Sequence, residues 1–97
     1  MKRKVDTREE MLINTLAREL PLLRARLSIS QGELAKKTGI SRQTLSSIET
    51  KKSRMSWNTF MALVLFFSIN EKTDQMLLSY KGFLENLTSI LIFDNGD

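Results

Sequence analysis

Ninety-seven residues, 41% hydrophobic and 27% charged, suit one domain with its own core and do not read as low-complexity or disordered sequence. The chain has neither cysteine nor histidine, which excludes disulfides and thiolate or imidazole metal sites, and a reducing cytosol is the expected location. The net charge of +4 hides an asymmetry, because residues 1–54 carry 13 Lys and Arg against 6 Asp and Glu while residues 55–97 carry 2 against 5, so only the first part suits a polyanion.

The opening MKRK runs at once into acidic VDTREE and lacks the apolar stretch of a signal peptide, so it is read as a frayed start. Strand signals are nearly absent, and helical periodicity runs almost end to end. Thr7 and Glu10 have the spacing of a capping box ahead of Met11, Leu12, Leu16 and Leu20, which opens a first helix. Pro21 lacks the N–H that a helical ladder needs, so it implies either a kink near residues 17–20 or a fresh helix with proline in its first turn. The turns carrying Leu22, Leu23, Arg24 and Leu27 end near Ser28.

A second capping box, Ser30 with Glu33, starts a helix that reaches about Thr38, and Gly39 stops it because glycine tolerates positive φ. Ser41 caps a third helix that runs to about Thr50. Lys51, Lys52, Ser53 and Arg54 then form a cationic connection. Ser56 caps a fourth helix, WNTFMALVLFFSI, which is apolar nearly all round and so buried on more than one side, with Trp57 packed at its start. This run, at residues 60–67, is far too short to span a bilayer. A fifth helix is expected at about residues 71–92, with Glu71 and Asp74 at the positive end of its dipole.

In the third helix, about 100° per residue sends Leu45 and Ile48 inward and Arg42, Gln43, Ser46 and Ser47 outward. Such a face fits the major groove of DNA. Arg42 matches the two acceptors of guanine, Gln43 matches adenine, and the two serines are short enough to let the helix approach closely. Gln31, Ser41 and Thr44 sit at helix starts, where free backbone N–H groups favour phosphate oxygens. Thr50, Lys51, Lys52 and Arg54 lie beyond the third helix, placed to grip the strand on its other side.

Met76, Tyr80, Phe83, Leu87 and Ile90 follow a 4-3-4-3 spacing, with Leu77, Leu84 and Leu91 in a second row at sevens. Part of this must cover the fourth helix. The surplus predicts a homodimer interface on the last helix, helped by Met61, Leu65 or Phe66, with Gly82 bending the helix.

Residues Gln31, Glu33, Leu34, Ala35, Gly39, Ile40, Leu45, Ile48 and Glu49 together resemble the helix-turn-helix of the lambda-repressor-like regulators, the Cro/C1 or XRE-type group. The likeness extends back through Leu20, Leu23 and Arg24 and forward through Phe60, Leu63 and Phe67. It implies a four- or five-helix bundle that binds operator DNA as a dimer. By the same resemblance Arg42, Gln43 and Ser47 fall at base-reading positions and Gln31 at a phosphate contact. Arg24 and Glu49 fall where several members form an ion pair between the first and third helices. Four features depart from the family pattern: Thr50-Lys51 in place of a common Asn-Gly, Pro21 in the first helix, the long stretch before it, and a fifth helix longer than the minimal fold needs.

The expectation is therefore an all-α, five-helix lambda-repressor-like domain over residues 1–97, with its helix-turn-helix at 31–50 and extended first and last helices. It predicts a cytoplasmic transcriptional regulator of double-stranded DNA, a repressor by default, with no cofactor or metal. No activated nucleophile, carboxylate pair or phosphate-cradling glycine loop suggests an enzyme. The rival reading is an antitoxin or similar module whose last two helices bind a partner protein.

Overall fold

Local side-chain chemistry sets most of the helix boundaries. The structure, a computed structural model, describes residues 6–93, so the MKRK start and the Asp94-Asn95-Gly96-Asp97 tail lie outside the described residues. Among the described residues six helices follow one another: α1 Thr7–Leu27, α2 Gln31–Thr38, α3 Arg42–Glu49, α4 Trp57–Ile69, α5 Asp74–Ser79 and α6 Phe83–Leu91. The all-α class is as expected, and the count is one higher.

The cap of α1 is Asp6 rather than Thr7: its carboxylate accepts from the Arg8 backbone N–H at 2.8 Å, and Thr7 is the first helical residue. Arg8 also closes its guanidinium on Asp6, and these bonds hold the Asp6 carboxyl down at about 2. The helix then runs unbroken through Pro21, so no new helix begins there. Pro21 is exposed, while Leu16, Leu20 and Leu23 on either side are fully buried, so packing of the apolar row carries the helix past the missing donor. Ser28, in the left-handed region at φ 57, ends it.

The next three elements match their sequence signals. Ser30 and Glu33 form a reciprocal capping box, Gly39 closes α2 at φ 79, and Ser41 and Ser56 cap α3 and α4 by accepting from the N–H three residues on. Leu34, Leu45, Ile48, Met55, Phe60, Leu63 and Phe67 join the α1 leucines in one continuous core. Trp57 stacks on Phe60 with ring centroids 4.8 Å apart.

The expected long last helix is two helices. Thr73 is buried and donates its hydroxyl to the Phe67 carbonyl at 2.7 Å, which delays α5 to Asp74. The chain leaves helical geometry at Tyr80 and restarts after Gly82, whose φ of 73 is left-handed. A helix takes no such residue without breaking, and this break turns α6 back along α1. The turn also changes which apolar residues face out. Phe83, expected at a dimer surface, is core, and Met76, Tyr80, Leu87 and Ile90 are half-buried against the same core. The exposed apolar side chains at this end are Leu78, Leu84, Leu91, Ile92 and Phe93.

Candidate nucleic-acid interface

Burial of Leu45 and Ile48 fixes the rotation of α3 about its axis, and its opposite face is therefore open. Arg42 and Gln43 are exposed in the first turn, with Ser46 and Ser47 half-buried one turn on. Together with Gln31, Thr50 and Lys52 these four line one open depression of about 460 Å³. Side chains from the start of α2, the face of α3 and the connection after it thus meet on a single surface.

What each group can donate differs. The Ser41 hydroxyl accepts from the Thr44 N–H at 3.0 Å and donates to the Thr44 hydroxyl at 2.8 Å, so Thr44 keeps its own proton for an outside acceptor. Thr50 has spent its proton on the Ser46 carbonyl at 2.8 Å. A contact from Thr50 to phosphate, which is an acceptor only, requires that bond to open. Lys51 and Lys52 are exposed and make no ion pair among the described residues, whereas Arg54 donates to Glu10 of α1 at 2.9 Å.

Beneath the surface lies a three-residue lock. Arg24 donates from Nε and Nη2 to the two carboxylate oxygens of Glu49 at 2.7 and 2.8 Å, and from Nη1 to the Ile29 carbonyl at 3.0 Å. Gln31 adds a third bond to Glu49 at 3.0 Å. Burial pushes the Glu49 carboxyl up, but the hydrogen bonds from Arg24 and Gln31 and the Arg24 charge pull it further down, below the usual glutamate value. The lock joins the end of α1, the start of α2 and the end of α3, which sets the pose of the outward face. It leaves Gln31 one amide hydrogen for phosphate.

Two links have no signal in the sequence: Gln31 to Glu49, and Arg54 to Glu10. Both join residues far apart in the chain, and no local spacing announces them. Lys51 is the third addition, since it holds φ 63, a left-handed conformation that explains why glycine is common there in the resembling family.

Two short helices joined at a left-handed glycine, with the second presenting a polar face beside exposed cations, have the form of a helix-turn-helix unit. Residues 22–67 are similar to the family model described as helix-turn-helix. No curated protein and no solved structure matches the chain. Among the described residues, no helix is long and apolar enough to cross a membrane.

Proposed function

We propose that this protein is a sequence-specific reader of double-stranded DNA that regulates transcription, acting as a homodimer in the cytosol and repressing by occupancy of a promoter. The observation that carries the reading is the shared open surface of Gln31, Arg42, Gln43, Ser46, Ser47 and Lys52. Arg42 and Gln43 read base edges, with Ser46 and Ser47 permitting close approach, and Gln31, Ser41, Thr44, Lys51, Lys52 and Arg54 hold phosphates. Thr50 joins them only when its bond to Ser46 opens.

Dimerisation is supported by the exposed Leu91, Ile92 and Phe93 and by a mostly apolar groove of about 270 Å³, in which Val64, Leu77, Leu78, Phe83, Leu84 and Leu87 line the wall with Ser68 and Asp74. Exposed apolar surface of this kind suits a two-fold contact, and two copies would read half-sites about 34 Å apart. The same apolar face favours the second reading, a module that docks a partner protein there.

Selection of bound duplexes from a random pool, followed by footprinting across a salt series, tests the reading. A defined motif, repeated about one helical turn apart and bound more weakly as salt rises, is the expected result. Arg42→Ala should cost roughly 1–3 kcal/mol of specific binding and relax one base position. An unenriched pool, or an Arg42→Ala protein that selects the same motif as tightly, sinks the reading.

A further inference from the structure

Between α1 and the connection after α3 lies a second cleft, of about 490 Å³, whose floor includes the buried Ile13, Ile48 and Met55. Four cations line it, Arg18, Lys51, Lys52 and Arg54, against a single carboxylate, Glu10. That carboxylate sits on Arg54, with Glu10 Oε2 at 2.9 Å from Nη2. Both side chains are half-exposed, and the pair shares its cleft with the exposed Lys51 and Lys52.

Glu10 is not a wandering surface acid. Leu12 and Ile13 beside it are 1% exposed, and Arg8, one turn from Leu12, donates to Ser89 of α6 as well as to Asp6. The helix is pinned at this end, and the carboxylate is presented from a fixed backbone. Glu10 also lies upstream of residues 22–67, in the part of α1 that the family match does not reach.

We propose that Glu10 is an internal stand-in for a DNA phosphate: it occupies Arg54 in the free protein and must yield it when duplex binds, so the extension of α1 tunes DNA affinity. The inference rests on the DNA-binding reading above. The chemistry is a competition between two oxyanions for one guanidinium. A half-exposed ion pair is weak enough to exchange, which caps the effect at a few-fold. The remaining lone carboxylate then adds repulsion toward an approaching phosphate backbone.

The test is a double-mutant cycle on the full chain, with a mixed-sequence B-form duplex of about 30 base pairs in about 50 mM salt as the probe. Glu10→Gln should tighten binding about threefold, roughly 0.7 kcal/mol on a scale of 1.4 kcal/mol per tenfold. Arg54→Gln should weaken binding and lower the salt slope by about 0.9. In the Glu10→Gln/Arg54→Gln protein, the gain from Glu10→Gln should fall to that given by Glu71→Gln, which makes the same change in net charge at the far end of α4. Circular dichroism checks that these exposed substitutions leave the fold intact.

A gain from Glu10→Gln that persists undiminished without Arg54, or that Glu71→Gln reproduces in full, overturns the inference in favour of net charge alone. Weaker binding of Glu10→Gln overturns it too, since Glu10 would then be orienting Arg54 for DNA. If the unaltered chain binds no duplex, the DNA-binding reading itself has failed and the inference goes with it.

Discussion

Lys51 sits where the backbone favours glycine, on the exposed connection that follows α3. A left-handed conformation disfavours an L side chain by roughly 1–2 kcal/mol, and no bond made by the Lys51 side chain offsets it among the described residues. Strain kept at an exposed cation is the pattern expected where binding, rather than folding, sets the residue. Lys51→Gly should therefore stabilise the fold by about 1 kcal/mol while weakening DNA binding, as thermal melts and titrations on one duplex would reveal. A variant that melts lower, or that binds as well as before, contradicts this trade. Glu49 gives a second test at this scale. Its carboxyl titrates lower when folded than when unfolded, so its stabilising effect is complete above the unfolded value of about 4.3 and is lost as pH falls through the lower folded value. Glu49→Gln should cost roughly 1–3 kcal/mol at neutral pH, with the deficit shrinking below about pH 4 in denaturant titrations. A pH-independent deficit would mean that the lock works through shape and not charge.

At the scale of elements, the break between α5 and α6 carries the largest consequence. Gly82 holds φ 73, and a Cβ there would also meet the Asn86 amide at 3.4 Å. Gly82→Ala should destabilise by about 1 kcal/mol or more, which for a domain of this size lowers Tm by roughly 4–8 °C. An unchanged melt would show that the turn relaxes freely. The same break shows where sequence reasoning stops. The 4-3-4-3 spacing of Met76, Tyr80, Phe83, Leu87 and Ile90 describes one continuous helix or two helices meeting at an angle, and spacing cannot choose between them. Caps behave differently. Ser30, Glu33, Gly39, Ser41 and Ser56 act on backbone groups within a few residues, so α2, α3 and the start of α4 are legible in the sequence itself. Asp6 and Thr7 are both competent caps one residue apart, and only the Arg8 bonds decide between them. Pro21 leaves a kink and a fresh helix both open in the sequence, and the leucines buried against distant helices exclude the fresh helix. The outward face of α3 follows from Leu45 and Ile48 alone. The partners of Gln31 and Arg54 do not, since each bond closes across a contact that only the fold creates.

At the scale of the whole molecule, a cationic cluster and an exposed apolar row occupy different elements. Arg42, Lys51, Lys52 and Arg54 gather around α3 and its connection, and the exposed Leu84, Leu91, Ile92 and Phe93 lie along α6 and just beyond it. The first thus suits a polyanion and the second an apolar partner. Leu91→Glu, a change at an exposed site, should convert a dimer to a monomer without unfolding the protomer. Sedimentation across a concentration series checks it, and Tm should lose its dependence on protein concentration. A chain that sediments as a monomer before the substitution, or as a dimer after it, places the two-fold contact elsewhere. The pairing of α1 with α6 has a further consequence for the order of events during synthesis. Arg8 and Ser89 bond across eighty-one positions of sequence, and Phe83 enters the same core as Leu12 and Ile13. On a ribosome releasing the chain from its first residue, the early leucines emerge long before the segment that shelters them. The growing chain therefore passes through an interval in which α2 and α3 can assemble while the first turns of α1 still wait uncovered, open to chaperones or to another chain in the same state.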